Sequence, residues 1–94
     1  MTAYVIFIRE ALVDADEMAV YTDLAMQSIG DHPITVLTAY APHEVWEGDP
    51  CDALLILSFP DGQAAKAWYN SDAYQQAKSH RLKGGKYRVI FTEG

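Results

Sequence analysis

Hydrophobic and polar positions along the chain follow two periods, one typical of strands and one typical of helices. Short runs rich in β-branched, aromatic and leucine side chains predict four strands. They lie at Ala3–Arg9, Ile34–Tyr40, Asp52–Phe59 and Tyr87–Thr92. The segment His43–Glu47 alternates polar and apolar residues and predicts a further, half-exposed strand.

Two segments between these strands show helical spacing instead. After Asp14, a favourable N-cap, apolar residues recur every three or four positions until Gly30. Asp61 predicts the start of a second helix, and Ser71 can cap a further turn or two after an interruption. Gly84–Gly85 predicts a loop before the last strand.

The order β-α-β-β-α-β predicts an α+β, ferredoxin-like fold: an antiparallel sheet with two helices on one face. Successive residues of a strand point to opposite faces. In the first strand, Val5 and Phe7 therefore share one face, while Ile6 and Ile8 share the other. Two helices cover only one face, and monomers rarely expose an apolar patch as large as the second. The pattern therefore predicts a homodimer that packs sheet face against sheet face.

Composition narrows the class of protein. The length of 94 residues fits one domain, 1–94. A net charge of −6 argues against partners such as nucleic acid or an anionic membrane surface, and the single cysteine excludes a disulfide framework. No apolar run approaches the roughly 20 residues of a spanning helix. The N-terminus does not resemble a signal peptide, so we expect a soluble, cytoplasmic protein.

The charge is unevenly distributed along the chain. Residues 1–77 carry 12 acidic and two basic side chains (−10), and residues 78–94 carry five basic and one acidic (+4), which together give −6. The basic segment predicts either an anion site or a surface that faces acidic groups of the same fold or of a partner.

The central run of the chain resembles a known family, the uncharacterised domains numbered 1330. The matching residues are Phe59-Pro60, Ala64-Ala65, Ala67-Trp68-Tyr69, Ser71 and Tyr74-Gln75, together with the opening Ala3–Ile6, the turn Glu47–Asp49 and the closing Glu93-Gly94. The resemblance implies a place in the dimeric α/β-barrel superfamily. That superfamily includes cofactor-free monooxygenases, haem enzymes, lactone isomerases and effector-binding modules, so it implies fold and dimerisation rather than a chemistry.

Aromatic side chains on the second helix have two interpretations. Trp68 and Tyr74, with Tyr4, would line a pocket for a small organic ligand between sheet and helices. Alternatively, they form the core that holds the helix on the sheet. His80 and Arg81 are the best candidate pair for binding an anionic group, because a guanidinium is a planar bidentate donor.

His43, next to Glu44, is the candidate general base, since imidazole titrates near neutral pH. The histidines show no metal-ligand spacing, and Cys51 has no second cysteine, so we expect no metal and no cofactor.

Two function classes follow, and the sequence leaves open whether the protein is an enzyme. The first is a dimeric module that binds a small organic or anionic ligand, or an enzyme that acts on it, for which the resemblance to the superfamily implies a cofactor-free oxygenase or an isomerase. The second is a non-catalytic structural or regulatory dimer. A pocket lined by the aromatic residues favours the first class, and a filled interior favours the second.

Overall fold

A computed structural model, which describes all 94 residues, shows a four-stranded antiparallel sheet with three helices on one face. The elements are β1 (Ala3–Leu12), α1 (Ala15–Ser28), β2 (Thr35–Ala39), β3 (Ala53–Phe59), α2 (Gly62–Tyr69), α3 (Asp72–Gly84) and β4 (Gly85–Glu93). The strand order β2-β3-β1-β4 confirms the ferredoxin-like prediction. No helix has both the length and the apolarity needed to cross a membrane.

The predicted helix starts are confirmed by their side-chain caps. The Asp14 carboxylate accepts hydrogen bonds from the amides of Asp16 and Glu17 at 3.0 and 3.2 Å. Asp61 accepts from the Ala64 amide at 2.8 Å, and Ser71 accepts from the Tyr74 amide at 3.2 Å. Each cap satisfies amides that the first helical turn leaves without a partner.

Four predictions need correction. His43–Glu47 is not a strand: β2 pairs directly with β3, so this segment has no neighbouring strand and lies in the β2–β3 loop, residues 40–52. Gly84–Gly85 is not a loop, because α3 continues to Gly84 and β4 begins at Gly85. The predicted two helices are three, because the chain after Ser71 forms a full helix, α3, rather than a further turn or two. The sheet is open, with β2 and β4 as its edges, so a single chain forms no barrel.

The two faces of the sheet differ in what covers them. Ala3, Val5 and Phe7 of β1 face the helices and are buried. The opposite face, here called the open face, carries a cluster of half-buried apolar side chains. These are Ile6 and Ile8 of β1 and Leu54 and Ile56 of β3, which pair across the two central strands. The prediction that both faces are apolar is confirmed.

The helices are not evenly spread over the covered face. α1 packs mainly against α3, and α2 lies over β1 and β3. β2 packs mainly against β3, and its residues are largely exposed. β2 is therefore the most exposed strand of the sheet.

Gly84 of α3 packs tightly against α1, and this contact provides a test of the fold. A Cβ at this position would lie 2.8 Å from the Met18 amide nitrogen, which belongs to the backbone of α1. We expect Gly84→Ala to lower the free energy of unfolding by roughly 1–3 kcal/mol, because α1 and α3 must separate. Gly94→Ala, where a Cβ meets nothing within 4 Å, is the matched control. Equal urea midpoints for the two variants would contradict this packing.

Candidate functional site

An aromatic layer fills the space between the helices and the sheet. The rings of Trp68 and Tyr74 lie 4.3 Å apart, centroid to centroid, and Phe7 of β1 meets both edge-on at 6.3 and 6.4 Å. Ser71 brings the two rings together: it caps α3 and donates a hydrogen bond to the Trp68 carbonyl at 2.7 Å. Trp68 and Tyr74 therefore sit on separate helices that meet above the centre of the sheet.

Polar atoms within this layer have partners. The Trp68 indole N–H donates to the Ser28 hydroxyl at 3.1 Å, and that hydroxyl donates to the Ala25 carbonyl at 2.6 Å. The hydroxyls of Tyr21 on α1 and Tyr74 on α3 form a hydrogen bond of 3.0 Å. These bonds satisfy groups that would otherwise destabilise the interior.

A cavity of about 290 Å³ lies beside the aromatic layer, between α1 and the β2 side of the sheet. Eleven of its twelve lining residues are hydrophobic, and none is acidic. They are Tyr21, Thr22, Ala25, Met26, Ile29, Ile34, Val36, Ala39, Tyr40, Leu55, Leu57 and Trp68. The cavity exists because the side chains of α1 and those of the β2 side of the sheet do not fill the space between them.

Tyr40 closes one end of this cavity through an uncommon backbone conformation. Its φ of 55° lies in the left-handed region, which disfavours residues other than glycine by about 1–2 kcal/mol. The Tyr40 amide donates to the Leu54 carbonyl at 2.7 Å, which fixes the turn at the end of β2. Its ring lies 5.9 Å from the guanidinium of Arg9. Burial raises the pKa of the Tyr40 hydroxyl.

Arg81 of α3 lies against the aromatic layer and does not line the cavity. It is only 4% exposed, and its guanidinium lies 5.8 Å from the Phe7 ring and 5.2 Å from the Tyr87 ring. One terminal nitrogen is 3.5 Å from the Tyr69 hydroxyl, and Nε has no hydrogen-bond partner. The predicted anion-binding residue is thus a buried cation among aromatic rings.

The structure brings Trp68, Tyr74 and Arg81 together and separates the other sequence candidates from them. Tyr4 lies on the open face, since it alternates with the buried Ala3 and Val5. The predicted His80 and Arg81 pair is divided, because adjacent helical residues point in different directions. His80 Nδ1 instead contacts Oε2 of Glu17 at 2.6 Å and links α3 to α1.

His43 lies in the β2–β3 loop and does not line the aromatic cavity. Its Nε2 is 2.9 Å from the Cys51 carbonyl oxygen and 3.6 Å from the Cys51 sulfur, so the ring ties the two ends of the loop together. No three potential metal-ligating side chains come together in the chain. A wider depression of about 610 Å³ lies between this loop and the open face.

Three further tyrosines shape the site, although none of them was assigned to it from the sequence. Tyr21 and Tyr40 line the cavity, and Tyr87 packs on Arg81. The sequence holds one signal for Tyr21. This residue lies on the apolar face of α1, and a phenol that is buried there needs a hydrogen-bond partner for its hydroxyl. Tyr40 has no such signal, because its position depends on a left-handed turn.

The buried phenols predict how stability changes at high pH. Burial is the largest cause that raises the pKa of Tyr21, Tyr40 and Tyr74 above the ordinary value of 10.0. Above about pH 10 these groups ionise in the unfolded chain but stay neutral in the folded one, so the free energy of unfolding falls as pH rises. Tyr21→Phe should make this decline shallower in urea unfolding from about pH 8 to about pH 11. A slope unchanged by the substitution would contradict the assignment.

Solved structures similar to this chain share its fold at low sequence identity. The methylated RPA0582 protein, of unknown function and from Rhodopseudomonas palustris, has a TM-score of 0.80 at 14% identity, over 99% of this chain and 80% of that one. A dimeric ferredoxin-like protein of unknown function from Jannaschia sp. CCS1 has a TM-score of 0.72 at 12% identity, over the full length of both chains.

A third similar structure is an enzyme. SnoaB, a cofactor-independent oxygenase from Streptomyces nogalater, has a TM-score of 0.63 at 9% identity, over 99% of this chain and 91% of that one. No curated protein matches the chain. The model of one family, described as "Domain of unknown function (DUF1330)", matches residues 2–94, and the chain belongs to that family.

Proposed function

We propose that this protein is a homodimer that binds a small organic molecule in the aromatic cavity between α1 and β2. The cavity of about 290 Å³ is near the lower end of known ligand pockets and roughly twice an engineered cavity of ~150 Å³ that holds benzene. Its size therefore suits one or two fused rings. Its almost wholly hydrophobic lining suits an apolar body.

The observation that carries this proposal is the position of the cavity. Protein interiors are closely packed, and large voids are few. Here the cavity lies beside the aromatic layer, in which Trp68 and Tyr74 are buried. Trp68 also forms part of the cavity wall. The two interpretations of the aromatic residues thus combine: Tyr74 belongs to the core, and Trp68 serves both core and cavity.

Catalysis on the bound molecule, of the cofactor-free oxygenase or isomerase type, is the enzymatic form of this proposal. The fold likeness to the oxygenase SnoaB supports it. His43 lies outside the cavity, so the proposal does not use it as the general base. The alternative is a non-catalytic structural or regulatory dimer, which would bind no ligand in the cavity.

The open face supports the homodimer. Ile6, Ile8, Leu54 and Ile56 form an apolar surface on the two central strands, and Ile90 of β4 extends it with 38% of its surface exposed. A second sheet packed on this face would bury all five side chains and give the two-sheet arrangement of a dimeric α/β barrel. Similar structures described as dimeric and ferredoxin-like agree with this assembly.

Charged residues of opposite sign beside the open face can pair between two copies of the chain. Arg88 lines the depression beside the β2–β3 loop and forms no ion pair within the chain. Four acidic residues line that depression as well: Glu10, Glu44, Glu47 and Asp49. In a two-fold dimer, each copy presents both the basic and the acidic group, so the contacts are repeated symmetrically.

Ligand binding can be tested with neutral probes. We expect naphthalene and indole to raise the melting temperature by a few degrees at concentrations well above their Kd. Ala25→Phe, which places a ring in the cavity, should abolish the rise. Ala19→Phe, on the exposed side of the same helix, should keep it. Equal responses from both variants would place binding elsewhere, and no response from the unmodified protein would favour the non-catalytic dimer.

Dimerisation can be tested by one charge on the open face. Sedimentation equilibrium of the unmodified chain at low micromolar concentration should give twice the chain mass of 10.5 kDa. Ile56→Lys should give the single-chain mass, because the interface would bury an unpaired ammonium group. Val20→Lys, exposed on α1, should remain dimeric. A single-chain mass for the unmodified protein would contradict the assembly.

A further inference from the structure

A second cavity, of about 310 Å³, lies between α2 and the strands β1 and β4. It shares no lining residue with the aromatic cavity beside α1. Five of its seven lining residues are hydrophobic, and none is acidic. They are Val5, Ala65, Lys66, Tyr69, Asn70, Val89 and Phe91. This cavity is therefore a separate space, and its lining combines an apolar surface with one cation.

Lys66 of α2 supplies the positive charge of this second cavity. Its Nζ lies 5.2 Å from the centre of the Phe91 ring, which lines the cavity from β4. A cation–π contact of this kind holds the ammonium group near the ring. None of the three ion pairs in the structure involves Lys66. Glu93 approaches α2 at Gly62, but it neither pairs with Lys66 nor lines the cavity. The ammonium group is therefore available to an anion from outside the chain.

Tyr69 connects the same cavity to the buried guanidinium of Arg81. Nη2 of Arg81 donates a long hydrogen bond of 3.5 Å to the Tyr69 hydroxyl. A guanidinium has donors only, so the Tyr69 oxygen is the acceptor, and its own proton forms no hydrogen bond within the chain. Arg81 is 4% exposed and has no carboxylate partner. Lys78 adds a further cation, with its Nζ 5.3 Å from the centre of the Tyr69 ring.

The chemistry of this lining favours a singly charged acid with an apolar body. Three cations lie in or beside the cavity, and no acidic side chain in its lining repels an anion. The hydrophobic residues suit an alkyl chain or a ring. A doubly charged phosphate would lose more hydration energy than one ammonium group and one hydroxyl replace. A carboxylate has two oxygens and can accept a hydrogen bond from each of these two donors.

We propose that this second cavity binds an apolar carboxylic acid as its anion. The carboxylate accepts hydrogen bonds from the Lys66 ammonium group and the Tyr69 hydroxyl, and the apolar body packs against Val5 and Val89. Arg81 is a positioning residue, since it acts on the anion through Tyr69. The site goes beyond the ligand site beside α1 and does not depend on it.

The test compares octanoate with its neutral analogue octanamide, each titrated into the full-length protein and followed by the NMR signals of the backbone amides. We expect octanoate to shift the amide signals of Ala65 and Val89 and to bind about tenfold more tightly than octanamide. Lys66→Gln, a change at an exposed position, should remove most of this preference and leave the affinity for octanamide unchanged. Tyr69→Phe should weaken octanoate by about threefold, because one hydrogen bond to the anion is lost.

Lys83→Gln is the matched control, because it removes the same charge from an exposed position of α3 that does not line the cavity. It should leave both affinities unchanged. The inference is overturned if octanoate shifts only amides beside α1, if it binds no more tightly than octanamide, or if Lys66→Gln and Lys83→Gln weaken it equally. An octanoate affinity that Tyr69→Phe leaves unchanged overturns the part assigned to Tyr69 and Arg81. None of these results affects the binding of naphthalene in the aromatic cavity, so the two proposals fail separately.

Discussion

A sheet with two apolar faces and too few helices to cover them is the constraint on which the rest of this structure depends. α1 packs against α3 and α2 covers the central strands, which leaves a gap between α1 and the edge strand β2. On the covered side this produces a cavity, and on the open face it leaves a continuous apolar surface. The ligand site and the dimer interface that we propose are therefore two consequences of the same shortage of helical cover.

The aromatic layer explains how a chain of this size holds a charged side chain inside. Phe7, Trp68 and Tyr74 pack tightly enough to exclude water, while Ser28 and Tyr21 satisfy the polar atoms that the rings bring with them. Arg81 lies on this layer with aromatic neighbours rather than a carboxylate. A buried cation without a counter-ion adds little to the stability of the fold, but it produces a strong positive electrostatic potential around it.

Much of the fold is predictable from local chemistry, and much of the site is not. Asp14, Asp61 and Ser71 mark helix starts because capping depends on the residue and its immediate neighbours. His43–Glu47 has the alternation of a strand but no neighbouring strand to pair with, which alternation alone does not reveal. The separation of Tyr4 and His80 from Trp68 follows from strand alternation and helical rotation once the register is known. The cavity is lined by Tyr40, which stands in a left-handed turn, and by residues of the edge strand β2, and neither feature has a sequence motif.

The central claim is that the space beside the aromatic layer, between α1 and β2, is a ligand site. A crystal structure of the protein with naphthalene tests it most directly. The account predicts the fused rings in this cavity, in contact with Ala25 and Leu57. Naphthalene bound only on the open face, with the cavity empty, would contradict it.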